Sequence, residues 1–145
     1  MQKISLILLL IIFGMETFSQ YGSTDRKPAV AGRFYAADKE TLEKDISRLF
    51  SECKKSTVKS HVRALISPHA GYVFSGKIAA AAFSTIDASK EYKNVFLIGS
   101  SHIMAFEGAS VYSEGDFITP LGKIKVNSDI ANRLKNENKL FQHPS

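Results

Sequence analysis

The 145-residue chain has no tryptophan, one cysteine and four prolines. A lone thiol excludes an intrachain disulfide framework. The excess of base over acid, +5, forms no basic block: lysines and arginines alternate with acids, as in Lys39-Glu40, Glu43-Lys44-Asp45 and Lys135-Asn136-Glu137. Without basic residues interleaved with aromatics, nucleic-acid binding is not expected. The spaced glycines and lysine that cradle phosphates are missing as well, because Gly99 is followed by two serines. No internal repeat or low-complexity tract occurs. With 44% hydrophobic and 23% charged residues, the composition suits one modest globular domain.

The apolar stretch Ile4–Phe13 is too short for a hydrocarbon core of about 30 Å. Preceded by Lys3 and followed by small residues Thr17 and Ser19, it reads as a signal peptide cut before Gln20. The expectation is a signal segment over 1–19, an α/β domain over 20–145, export, and no membrane contact after cleavage. The alternative is an uncleaved N-terminal anchor.

Residues 20–28 form a polar leader, and Ala29–Tyr35 a short extended stretch. Asp38 is placed to cap a helix in which Leu42, Ile46, Leu49 and Cys53 make one apolar stripe, so Cys53 is expected to be a buried structural thiol. Val62–Ser67 reads as a buried strand, Lys77–Thr85 as an alanine-rich helix opened by Ser75-Gly76, and Asn94–Gly99 as a second buried strand. Strand, helix and strand in that order predict a right-handed βαβ unit, and thus an α/β fold with a mostly parallel or mixed sheet flanked by helices. Gly108–Ser113 reads as a third strand. Thr119-Pro120-Leu121-Gly122 fits a hairpin turn, with Ile124 and Val126 alternating beyond it. Ser128 is the expected cap of a last helix carrying Ile130, Ala131 and Leu134.

Parallel strands present their C-terminal ends along one rim, where α/β sheets bind ligands. His69 follows the first strand and His102 the second, so both imidazoles are expected at that rim. Neutral imidazole suits zinc, copper and iron, and two make up most of a two-histidine, one-carboxylate iron site. Glu107, Glu114 and Asp116 are the available carboxylates, none placed persuasively. The bland alternative is that each histidine bonds backbone in its own loop. His61 and His143 have no comparable placement and are expected in solvent. Tyr72, Ser75, Ser100 and Ser101 lie near the rim; Tyr72, Ser75 and Ser101 are candidate substrate contacts. His102 as base to Ser100 or Ser101 would still lack a nucleophile elbow and an orienting acid, so serine hydrolysis is a weak reading.

Lys27-Pro28-Ala29-Val30-Ala31-Gly32-Arg33-Phe34-Tyr35, Ser67-Pro68-His69-Ala70-Gly71-Tyr72 with Ser75-Gly76, Gly99-Ser100-Ser101-His102 and Thr119-Pro120-Leu121-Gly122 occur in one order. That succession resembles the Memo family, whose bacterial members are called protein B of the AmmeMemoRadiSam system. The resemblance covers roughly residues 26–135. It implies a fold similar to class III extradiol dioxygenases and metal ligation by His69 and His102, with iron or copper as the metal. It also implies a small-molecule or peptide ligand, since family members include redox-active metal proteins and phosphotyrosine-peptide adaptors. The chain departs from the family pattern at Ala36, Ser100, Ile103 and Asn127. Family members are longer, and their second half supplies further site residues. The expectation is therefore a fragment, a frameshifted product or a half-domain needing a partner. Three functions follow: a metal-dependent, dioxygenase-like oxidoreductase, a non-catalytic peptide- or anion-binding module, or an inactive fragment.

Overall fold

The computed structural model describes residues 24–54 and 61–141. The expected signal segment, and His143, lie outside them. Among the described residues, no helix is long and apolar enough to cross a membrane.

Helix α1 spans Lys39–Glu52. As expected, Asp38 caps it, its Oδ1 accepting from the Thr41 N–H at 2.8 Å. That bond, to backbone and side chain of Thr41, holds the Asp38 carboxyl below its ordinary value. The apolar stripe faces inward: Leu42 and Leu49 are buried and Cys53 closes the helix as a buried free thiol.

Helix α2 spans Tyr72–Phe83, not the expected Lys77–Thr85. Ser75 and Gly76 do not open it; they lie inside it, on its buried side. The reason is packing rather than propensity. A Cβ at Gly76 would sit 2.8 Å and 3.0 Å from the two Leu49 methyls, so only glycine lets α2 approach α1 this closely. Leu49, Cys53 and Ala80 form the small core, with Tyr72 and Ala81 packed against it, and Lys77 pairs with Glu52 at 2.9 Å across the helices.

This contact has a measurable signature. Alanine at a helix-interior glycine normally gains about 1 kcal/mol, but overpacking here costs about 1–3 kcal/mol. Gly76→Ala is expected to destabilise the chain, whereas in a Leu49→Ala background the same change is expected to stabilise it. A thermal-melt double-mutant cycle reads the change of sign.

Beyond α2, strands β1 (Phe117–Thr119) and β2 (Gly122–Ile124) form an antiparallel hairpin with Phe117 opposite Ile124. The expected turn is present, the Thr119 hydroxyl donating to the Gly122 carbonyl at 2.8 Å. The strand entering the turn is Phe117–Thr119; Gly108–Ser113, expected as a third strand, is not among the strands of the described residues. Helix α3 spans Ser128–Glu137, and its cap is Asn127 rather than Ser128: the Asn127 amide oxygen accepts from the Ile130 N–H at 3.2 Å. A 3₁₀ turn, Lys139–Phe141, follows.

The hairpin is stitched to the start of the described chain. Arg26 bridges Phe117 in parallel, donating to the Asp116 carbonyl at 2.8 Å and accepting from Ile118 at 2.9 Å. Asp25 accepts from the Asp116 N–H at 2.9 Å and from the Lys123 ammonium at 2.5 Å. Gly115 permits the approach, since a Cβ there would meet Thr24 backbone at 2.7 Å.

The Asp25 hydrogen bond raises the Lys123 ammonium above its ordinary value, against an opposing desolvation. A group with a raised folded value contributes its full stability below the ordinary lysine range, near 10.5, and loses it as pH climbs through the folded value. Melting temperature is expected to fall more steeply above that pH in the wild type than in Asp25→Asn.

The three helices and the antiparallel pair make a small α/β structure. Val62–Ser67 and Asn94–Gly99, expected as buried parallel strands, belong to no hydrogen-bonded ladder among the described residues. Val62 and Leu65 are half-buried, but the other large apolar side chains face solvent: Ile66 and Ile98 are each 98% exposed and Leu97 87%. A strand exists only through neighbours that satisfy its N–H and C=O groups and cover its faces. These runs carry the strand composition without those neighbours.

Candidate functional site

Each candidate histidine rides on a short loop tied down by hydrogen bonds. His69 precedes α2. The Tyr72 N–H donates to the Phe34 carbonyl at 2.8 Å, docking the loop on the Ala29–Tyr35 stretch. The buried Ser75 hydroxyl donates back to the Ala70 carbonyl at 2.8 Å. His102 follows the run Asn94–Gly99. Next to it, the Ser101 hydroxyl donates to the Met104 carbonyl at 2.7 Å and accepts from the Met104 N–H at 3.3 Å.

These loops bring the two imidazoles tip to tip. The Nε2 atoms of His69 and His102 lie 3.1 Å apart, with ring centroids 5.2 Å apart and planes inclined by 37°. Both side chains are exposed. Such a pair can do two things. With one Nε2 protonated and the other bare, it makes a single N–H···N hydrogen bond. With both bare, it presents two lone pairs to one cation. At ordinary imidazole–metal distances of about 2.0–2.1 Å, nitrogens 3.1 Å apart subtend about 95–100° at a shared ion. That lies between the cis angle of an octahedron and the tetrahedral angle, so the donor pair fits two adjacent positions of either geometry.

A third donor is not in place. Among the described residues, no group of three or more His, Cys, Asp or Glu side chains is gathered closely enough to hold a metal. Asp116, one of the carboxylates considered, accepts from the Val126 N–H at 3.0 Å and faces Lys123 at 3.9 Å. Glu107 and Glu114 are exposed. His61 is exposed as expected and meets the Lys90 ammonium at 3.0 Å, apart from the pair.

A cleft of about 410 Å³ opens beside His69, lined mainly by Phe34, Tyr35, Leu49, Tyr72, Ala80 and Phe83. The Tyr35 and Tyr72 rings pack at 5.7 Å, tilted by 42°. Burial raises the Tyr72 hydroxyl above the ordinary phenol value, and the neighbouring Tyr35 adds to it. Tyr72 is thus a neutral hydroxyl on an apolar wall, whereas Ser75 and Ser101 spend their protons on backbone carbonyls. Sequence reasoning missed those two bonds; the signal was each serine's closeness to a histidine-bearing loop.

The family model described as Memo-like protein matches residues 26–144. The chain belongs to the Memo-like family. Both histidines and the cleft-lining tyrosines lie inside the matched region. Among curated Memo-family relatives, a MEMO1 family protein of Pyrococcus abyssi is 36% identical over 109 residues, covering 75% of this chain and 37% of the relative. One from Aquifex aeolicus is 35% identical over 109 residues, covering 75% of this chain and 39% of its own. A MEMO1 family protein of Schizosaccharomyces pombe is 38% identical over 109 residues, covering 75% and 34%. This Memo-like chain thus spans well under half the length of those relatives.

Proposed function

We propose that this Memo-like chain binds a redox-active transition metal, iron or copper, through His69 and His102, as the N-terminal contribution to a dioxygenase-like metal site of the kind found in protein B of the AmmeMemoRadiSam system. The 3.1 Å approach of the two Nε2 atoms carries this reading. The two rings belong to loops 33 positions apart in the chain, yet their nitrogens come within hydrogen-bonding reach of one another. In the same reading, Val62–Ser67 and Asn94–Gly99 become adjacent strands of a mostly parallel sheet once their open edges and faces are paired, which accounts for both histidines following apolar runs. The chain is proposed to be exported.

A metal bound there supplies Lewis acidity and one-electron chemistry beside the cleft. The chain's own residues hold and orient. His69 and His102 present their Nε2 atoms, while Phe34, Tyr35 and Tyr72 line one side and offer an aromatic wall to a small-molecule or peptide ligand. Tyr72 keeps its proton at neutral pH and so serves as a hydrogen-bond donor rather than a base.

The test is metal content of tag-free protein reconstituted with Fe(II) under argon or with Cu(II), then desalted and measured by mass spectrometry. Wild type and a His61→Ala control are expected to retain metal, and His69→Ala/His102→Ala to lose it. Equal retention in all three sinks the reading. Saturable ligand binding unaffected by a chelator would instead favour a metal-free binding module.

A further inference from the structure

We propose that Ser75 and Ser101 are positioning residues for the imidazole pair, each pinning the backbone turn that carries one histidine. The inference rests on the metal reading for its purpose but on hydrogen-bond geometry for its substance. Ser75 is 7% exposed, and its hydroxyl donates to the carbonyl of Ala70, the residue directly after His69, at 2.8 Å, with a longer approach to the Gly71 carbonyl at 3.5 Å. A helix-interior side chain thereby reaches back past its own N-terminus and fixes the peptide that leaves His69. Ser101 directly precedes His102. By donating to the Met104 carbonyl and accepting from the Met104 N–H, its hydroxyl closes a four-residue turn with His102 inside it.

Neither histidine ring has another side-chain partner among the hydrogen bonds of the described residues, apart from the opposite ring. Ring placement therefore comes from the loops. Ligands on separate loops must be held to within about 0.5 Å to act together, and one serine on each loop supplies that restraint. The two serines differ usefully. Ser75 is buried, so its loss also disturbs the packed side of α2; Ser101 is exposed and its turn buries nothing, so its loss leaves the core untouched.

The experiment has a metal-free and a metal-bound arm. In metal-free protein, NMR cross-relaxation between the His69 and His102 rings reports their approach; Cu(II) titration followed by electron paramagnetic resonance reports affinity and two-nitrogen coupling. Ser101→Ala is expected to keep the wild-type melting temperature, lose the inter-ring cross-peak, and weaken Cu(II) binding by about 10–100-fold, the usual effect of removing a group that orients a ligand. Ser101→Thr, which restores the hydroxyl, is expected to recover both. Ser75→Ala is expected to lose the cross-peak too. Should it fail to fold, Ser75→Thr must restore folding and the cross-peak together. A wild-type cross-peak surviving in folded Ser75→Ala and Ser101→Ala, or its absence from wild type, overturns the proposal. Loss of the cross-peak in Ser101→Ala, with no Cu(II) bound even by wild type, would instead leave the positioning role standing and remove the metal reading.

Discussion

His69→Ala alone and His102→Ala alone are each expected to weaken Cu(II) binding nearly as much as the double variant, by more than the roughly hundredfold that loss of an orienting group costs. The reason is the structure of the pair. Two nitrogens 3.1 Å apart act as one chelating unit, and removing either leaves a single exposed imidazole. A lone exposed imidazole offers no more than His61 does. The effects should therefore be far from additive, as for any two groups that work only together. Isothermal titration of Cu(II) into wild type, both singles and the double variant measures this directly. Additive losses would mean that each histidine binds its own ion and that the close approach is incidental.

The second large effect concerns the exposed apolar run Val95-Phe96-Leu97-Ile98. These side chains are 71%, 65%, 87% and 98% exposed. Covering large apolar side chains is worth about 1.5–3 kcal/mol each, so four in a row supply a strong drive to associate. An uncharged run of this composition, in no hydrogen-bonded ladder among the described residues, is also a template for edge pairing. Leu97→Lys/Ile98→Lys is expected to shift the protein from heterogeneous assemblies to a single small species in size-exclusion chromatography. The same change is expected to cut binding of a hydrophobic dye several-fold. Because neither side chain packs on the core, the melting temperature is expected to hold. A large fall in melting temperature would show the run to be covered in solution.

What the sequence discloses here divides along physical lines. Signals that depend on a few neighbouring residues are legible: the Asp38 cap, the Leu42–Leu49–Cys53 stripe and the turn at Thr119–Gly122 are all where their local chemistry puts them. The meeting of His69 and His102 was legible through topology, because both follow apolar runs. The runs themselves form no ladder among the described residues, since strand composition records a demand for neighbours rather than their presence. Helix α2 begins before the residues that read as its opening, Ser75-Gly76, because close packing on Leu49 makes small residues interior ones. Asn127 took the cap from Ser128 because either side chain can accept a bond from the first turn, and residue type does not choose between adjacent candidates. The Asp25–Asp116 stitch joins residues 91 positions apart, and a single sequence holds no local trace of such a partnership.

That stitch also orders events in time. Both histidine loops lie within the long circuit it closes, whereas the α1–α2 pairing needs only a modest return of the chain. Because closure entropy is spent before a distant contact yields anything, the helix pair should assemble early and the Arg26–Phe117 seam late. The seam is then the first part to open when the fold loosens. A nick or an ill-placed fusion near Thr24 would leave the helices paired while the hairpin swings free.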